Sequence, residues 1–399
     1  MENFSKRCLA VSPSLTLAIT AKSNELKAKG VNVISFGVGE PDFNTPKHIV
    51  EAGKEALDKG MTKYTASSGT PVLRQAVCDK FKRDNDLVYD KTQIVVSNGA
   101  KQSLFNALQV LVDEGDEVII LAPYWLTYPE LVGICGGKSV VVNCLAENEF
   151  IVNPSDLEKA ITSKTKALIL NSPSNPTGAV YSREQLESIA AVLRRHPNIW
   201  VVADEIYEKL VYDGNKHVSI ASLDGMYDRT IVINGMSKAY AMTGWRIGFA
   251  AAPTTRVAKL MDGLQSHESS NANTPSQYAS QVALNSDESF LDEMRSTFLA
   301  RRNRMLEKLS TIKGVKAIHA KGAFYIMVDV SSFFGKSYNG VVIDGANKLA
   351  SLIIDNVSVA VIPCEGFGAP NFIRLSYATN IEKINEGLDR IKDFLAEVK

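Results

Sequence analysis

Between about residue 90 and residue 252, short apolar runs alternate with amphipathic stretches. The runs at 93–97, 117–121, 139–143, 167–170, 199–203, 230–233 and 247–251 are rich in Val and Ile. They read as strands, several of them buried on both faces. Helical spacing appears between many of them. Ser103 to Asp113 sets Leu104, Phe105, Leu108, Leu111 and Val112 on one face, and Ser182 to Arg195 does the same with Leu186, Ile189, Ala190 and Leu193. The alternation predicts an α/β fold, with a mainly parallel seven-stranded sheet flanked by helices.

The chain ends follow another pattern. Residues 14–29 predict a surface helix ending at Gly30, and Val31 to Phe36 a strand leading into the turn Gly37 to Asp42. In the last hundred residues, helical segments at 287–311 and 341–356 flank strands at 324–329 and 357–361. The expected organisation is a large cofactor-binding domain over 45–288. A smaller α+β domain, over 1–44 and 289–399, is built from both chain ends.

Composition narrows the partners. The 44 basic and 44 acidic side chains balance, and no basic stripe marks a nucleic-acid surface. No apolar run approaches the length of a membrane span, and no secretory leader is visible. The five dispersed cysteines suit a reducing compartment, so a cytoplasmic protein is expected. The five histidines form no metal-ligand spacing, and no metal is expected.

Candidate chemistry sits where the strands end. In open α/β sheets, ligands bind outside the carboxyl ends of the strands. Here those ends carry Gly99-Ala-Lys101, Pro123-Tyr-Trp125, Asn171 to Asn175, Asp204 to Tyr207, and Ser237-Lys238. Each has an ordinary reading alone: a surface lysine, a helix-capping Asp204, a plain Asn175-Pro-Thr-Gly178 turn, a core Trp125. Together they suit pyridoxal phosphate. Lys238 offers an amine able to condense with an aldehyde, which needs a partly desolvated site. Asp204 offers a carboxylate for the pyridine nitrogen. Tyr207 and Asn175 offer hydrogen bonds to the ring oxygen, and Trp125 a face to stack on. Gly99-Ala-Lys101 opens a helix whose free N–H groups favour a phosphate, with Arg246 and Ser237 as further phosphate partners. Arg374, in an alternating strand opposite Ile373 and Leu375, suits a carboxylate gripped by two parallel hydrogen bonds; its ordinary reading is an edge-strand arginine. Two glycine-rich stretches, Gly133 to Ser139 and Gly366 to Asn371, miss the phosphate-loop and dinucleotide patterns and read as turns.

Across nearly the whole chain, the sequence resembles the class I aminotransferases of pyridoxal phosphate fold type I, and within them the prokaryotic-type aspartate aminotransferase branch. The resemblance rests on Pro13-Ser-Leu-Thr16, Gly39-Glu-Pro-Asp-Phe43, Lys63-Tyr64, Gly69-Thr-Pro-Val-Leu-Arg74, Gly99-Ala-Lys-Gln102, Pro123-Tyr-Trp125, Asn171-Ser-Pro-Ser-Asn-Pro-Thr-Gly178, Asp204-Glu-Ile-Tyr207, Ser237-Lys238, Thr243-Gly-Trp-Arg246 and Phe372-Ile-Arg-Leu-Ser376. It implies that Lys238 carries the cofactor and shuttles the proton, with Asp204 and Tyr207 as its catalytic partners. Gly99, Ala100, Lys101, Ser237 and Arg246 would surround the phosphate. Arg374, Asn175 and the Gly39 backbone would hold the substrate α-carboxylate, beside Trp125. Lys101 and Thr16 would read the distal carboxylate of an acidic substrate. Tyr64 would reach the neighbouring subunit's phosphate, which implies a homodimer with shared active sites.

Two positions depart from many relatives: Gly235 stands where a hydroxyl residue precedes the lysine by three, and Ala100 where a second glycine is common. The expected reaction is transfer of an amino group from an amino acid, foremost aspartate, to 2-oxoglutarate. The alternatives are prephenate or another partner on the same cofactor, or a carbon–sulfur β-lyase. An aminotransferase-like DNA-binding regulator is disfavoured by the zero net charge.

Overall fold

Strands buried on both faces read as near-continuous apolar runs, and the central strands of the sheet are built that way. A computed structural model describes residues 4–12 and 15–399, the side chains of 15–17 excepted, so the Thr16 side chain lies outside the described residues. Seven strands form one sheet in the spatial order Ile94–Ser97, Gly248–Ala251, Thr230–Gly235, Trp200–Asp204, Thr165–Asn171, Glu117–Ala122 and Lys138–Asn143. Neighbours pair in parallel except at Gly248–Ala251, which is antiparallel to both its partners. All four residues of Ile94–Ser97 and all six of Thr230–Gly235 are buried. Lys138–Asn143 lies at the opposite edge, where only Val142 is buried.

Helices cover the sheet with the faces their spacing dictates. Arg183–Arg195 starts where Ser182 accepts from the Gln185 N–H at 3.3 Å and Gln185 reaches back in a capping box. It buries Leu186, Ile189, Ala190, Val192 and Leu193, each larger side chain contributing about 2 kcal/mol of transfer free energy. Ala100–Leu111 starts at Gly99, whose φ of 86° few other residues adopt. It ends two residues before the expected Asp113, because Val112 turns extended (φ −110°, ψ 125°).

The chain ends build a second layer. A four-stranded antiparallel sheet runs in the order Ile362–Pro363, Phe372–Ser376, Tyr325–Asp329, Lys316–Ala317. Near it, Ile34–Ser35 from the N-terminal part pairs in parallel with Val359–Ala360. The helices Ser289–Ser310, Ala346–Val357 and Ile381–Ala396 contribute Phe298, Leu349 and Leu388 to one shared core with Phe36 and Tyr377. The helix expected from 341 begins only at Ala346. Val341–Val342 instead closes a hairpin with Ser337–Tyr338, because Asn339 and Gly340 (φ 48° and 79°) supply the left-handed pair that a tight hairpin turn requires. The strand expected at 357–361 starts late as well: Val357 ends that helix and Ser358 turns left-handed at φ 55°.

Candidate active site

Parallel strands send all their carboxyl ends to one edge, so residues distant in sequence meet there. Ile94–Ser97 runs the same way as Thr230–Gly235, because both are antiparallel to Gly248–Ala251. That strand starts at the same edge, which brings Arg246 to it as well. A cavity of about 660 Å³ opens there. Its lining includes Gly39, Ala100, Lys101, Trp125, Asn175, Asp204, Tyr207, Ser237, Lys238, Arg246 and Arg374. Gly99 sits one residue behind Ala100. Tyr64 is elsewhere: it is 90% exposed and does not line this cavity.

Lys238 donates from Nζ to the Gly39 carbonyl at 2.5 Å and lies 5.7 Å from the Tyr207 ring centre. Burial lowers its amine to about 8, with Arg374 and Arg246 adding repulsion and Glu40 and Asp204 opposing the shift. A substantial neutral fraction at mild alkaline pH is what a nucleophilic amine needs.

Asp204 ends its strand only 3% exposed. Tyr128 donates to its Oδ2 at 2.7 Å and the Ile206 N–H to its Oδ1 at 3.3 Å. Burial still raises the carboxyl to about 6, with the Glu205 charge adding to the rise and Tyr128, Ile206 and Lys238 opposing it. A cationic group facing this carboxylate would remove the penalty.

The Asn171 side chain orders the next loop. It donates to the Asp204 carbonyl at 2.8 Å and accepts from the Asn175 N–H at 2.8 Å. Asn175 then accepts from Arg374 Nη1 at 2.8 Å, while Arg374 Nη2 donates to the Gly37 carbonyl at 3.1 Å. Arg374 is 2% exposed, its Nε has no partner, and its guanidinium lies 4.3 Å from the Tyr325 ring centre. Tyr325 also shares a 3.0 Å hydrogen bond with the Tyr207 hydroxyl. Burial pushes the Tyr207 phenol well above its ordinary range, so it is a proton donor rather than an anion.

The anion-binding corner is made by close packing. A Cβ on Gly99 would lie 2.4 Å from Arg246 Nη2, and one on Gly248 would lie 2.1 Å from the Ala100 nitrogen. Only glycines let the start of helix Ala100–Leu111 approach the strand and the arginine this closely. Arg246 is held at φ 57° with its guanidinium donating to the Thr243 carbonyl at 2.9 Å and the Asn98 carbonyl at 3.3 Å. Gly235 has a reason too: a Cβ there would meet the Gly248 Cα and the Ile247 carbonyl oxygen at 2.8 Å, so no hydroxyl-bearing side chain fits. Ser97 turns away and donates to Gln265 at 2.6 Å.

Lys101 stands over the Trp125 ring, its Nζ 4.9 Å from the centre, and its amine is lowered by burial and then by Arg246. Trp125 is met edge-on by Tyr128, 5.5 Å between centres at 89°. Lys27, Lys101, Lys238, Arg246 and Arg374 line the cavity against two carboxylates, Glu40 and Asp204. Glu40 is engaged by the Thr243 hydroxyl at 2.6 Å. The lining is therefore strongly cationic and suits an anionic ligand.

Sequence reasoning missed Tyr128 and Tyr325, both nearly inaccessible to solvent. Tyr128 follows Trp125 across a tight turn in which its N–H donates to the Trp125 carbonyl at 2.9 Å. Away from the cavity, Glu205, Glu208 and His217 lie within 4.8 Å of one another. Glu208 is already taken there: Lys80 pairs with one oxygen and Asn85 donates to the other at 3.0 Å. The trio belongs to an ion-pair network.

The profile of the family described as aminotransferase class I and II matches residues 31–391. The chain belongs to that family. This aminotransferase is 47% identical over 395 residues to an aspartate aminotransferase of Bacillus sp. (strain YM-2), covering 99% of each chain. It is 46% identical over 389 residues to an aspartate/prephenate aminotransferase of Cereibacter sphaeroides, covering 97% of each. Its fold superposes on the crystal structure of the Rhizobium meliloti aspartate aminotransferase with a TM-score of 0.96 and 41% identity over the whole of both chains. The aminotransferase is thus an enzyme of the α/β class with the expected sheet. Among its described residues, no helix is long and apolar enough to cross a membrane.

Proposed function

We propose that this aminotransferase moves the amino group of L-aspartate to 2-oxoglutarate with pyridoxal phosphate as its cofactor. The net exchange gives oxaloacetate and glutamate in two half-reactions. The observation that carries the reading is one cavity holding a buried carboxylate, an amine lowered to about 8 and a buried guanidinium with an unpartnered Nε. These residues fit the cofactor. Lys238 is the amine for its aldehyde, Asp204 the partner of its pyridine nitrogen, Tyr207 and Asn175 donors to its ring oxygen, and Trp125 the face for its ring. Gly99, Ala100, Lys101, Ser237 and Arg246 form the phosphate corner, where the helix N-terminus offers unpaired N–H groups.

When bound, pyridoxal phosphate supplies an aldehyde that takes up the amino group and a cationic ring that accepts the electron pair left on the substrate Cα. The chain does the rest. Arg374, fixed by Asn175 and Gly37, grips the substrate α-carboxylate. Lys238, its amine freed once the substrate's amino group replaces it at the aldehyde, would take the Cα proton. Lys101 attracts the distal carboxylate, with Thr16 as its second reader. The relatives' names keep prephenate as the alternative 2-oxo acid partner.

The same reading includes a homodimer, with the exposed Tyr64 phenol reaching the partner's phosphate. It places the enzyme in the cytoplasm, in keeping with five unpaired cysteines. The domain limits, 45–288 against 1–44 with 289–399, are supported by the pairing of Ile34–Ser35 with Val359–Ala360. The test is a donor screen against 2-oxoglutarate with Lys238→Ala beside the parent. The parent turns over aspartate, whereas the variant loses turnover and the visible absorbance of lysine-bound cofactor. Full activity of Lys238→Ala refutes the assignment.

A further inference from the structure

We propose that Tyr128 is a positioning residue that keeps the Asp204 carboxylate ionised and aimed into the cavity, and through it sets how tightly the cofactor's pyridine nitrogen is held. The proposal rests on the pyridoxal phosphate reading. Asp204 is 3% exposed and Tyr128 2%, so neither can exchange its partner for water. The 2.7 Å bond from the Tyr128 hydroxyl is the shorter of the two that Asp204 accepts. A hydrogen bond to a buried anion favours the charged form. Of the other ionisable groups around Asp204, Glu205 acts against that form and Lys238 for it, while Tyr207 stays a neutral phenol.

The same residue braces the stacking face. The Tyr128 ring meets Trp125 edge-on at 5.5 Å, so one side chain links the residue facing the ring nitrogen to the residue covering the ring. It lies in the first turn of helix Thr127–Ile134, beside the cavity and anchored by the helix backbone. Tyr128→Phe removes only the hydroxyl, leaving the ring against Trp125 and the packing nearly unchanged.

The experiment titrates cofactor-free protein with pyridoxal phosphate, followed by tryptophan fluorescence from pH 5.5 to about 8.5, a window chosen to bracket the carboxyl. At neutral pH, Tyr128→Phe weakens binding by about 10-fold or more, the loss expected for a charge-assisted hydrogen bond. The low-pH fall in affinity moves upward by about one pH unit. Titration of the cofactor's own phosphate is common to both proteins and drops out of that difference. In an Asp204→Asn background, Tyr128→Phe has no further effect on affinity. Equal weakening in both backgrounds at every pH overturns the proposal and leaves Tyr128 a packing residue. Failure of the parent to bind pyridoxal phosphate is a different result, because it removes the cofactor reading itself.

Discussion

Lys101→Met tests whether the enzyme recognises an acidic substrate. The substitution keeps the unbranched stem over Trp125 and removes the charge. In the structure the ammonium sits 4.9 Å from the indole centre, at the start of helix Ala100–Leu111, where the dipole disfavours a cation. Its amine is lowered by burial and by Arg246. A cation held against two unfavourable fields gains most when an anion arrives. Two unit charges about 4 Å apart attract by about 4 kcal/mol at an effective dielectric near 20. Desolvation offsets part of this, leaving the ~1.5–3 kcal/mol typical of a charge-assisted bond. That corresponds to a ~10- to 150-fold loss in kcat/KM for aspartate. Alanine, with no distal carboxylate, loses only what the changed contacts with Trp125 and the phosphate corner cost, and aspartate bears that cost equally. The ratio of the two kcat/KM values therefore isolates the charge. Steady-state assays with each donor at saturating 2-oxoglutarate give it. A ratio within about threefold of the parent's would falsify the assignment of Lys101 to the distal carboxylate, since that is under 1 kcal/mol.

Two further predictions concern stability and the anion corner. Asp204 titrates near 6 when folded, against about 3.9 unfolded, so the folded chain holds an extra proton between these values. The contribution of Asp204 to the stability of the cofactor-free protein therefore rises as pH falls from 6 towards 4, and its full penalty applies above 6. Asp204→Asn should stabilise that form at pH 7.5 by about 2–3 kcal/mol, read as a higher Tm, while weakening pyridoxal phosphate binding; a lower Tm refutes the burial argument. Gly248→Ala puts a methyl 2.1 Å from the Ala100 nitrogen. It should cost about 3 kcal/mol or more in chemical denaturation and weaken inorganic phosphate as a competitor of the cofactor; a variant as stable as the parent shows that the helix start can move aside.

The sheet was nearly all legible in the sequence, because strands buried on both faces have no choice but to be apolar. All seven expected runs are strands within two residues of their expected ends. What periodicity could not show was direction: Gly248–Ala251 looks like its neighbours in composition, and only its pairing reveals it as antiparallel. The smaller sheet was less legible, since its short strands are set by turns such as Asn339-Gly340 rather than by long apolar runs. At the cavity, residues at strand ends could be named from position alone. Tyr128 and Tyr325 could not, because a tyrosine in an apolar segment reads as core until its hydroxyl partner is known. Gly235 and Gly248 read as separate glycines until their backbones are seen in contact.

The antiparallel strand also sets an order of assembly. Ile94–Ser97 is an edge strand whose sole sheet partner among the described residues is Gly248–Ala251, about 150 residues later in the chain. On a ribosome adding about 5–20 residues per second, it waits on the order of 10–30 s for that partner. Until then the helix start at Ala100 has no glycine to lean on, and Arg246 has no fixed place. The five other strands can already zip together from consecutive βα units, where contacts are more local. On the proposed pyridoxal phosphate reading, the phosphate corner is complete only once Gly248–Ala251 has paired with Ile94–Ser97, so a chain with most of its secondary structure in place but that pair unmade would not yet bind the cofactor.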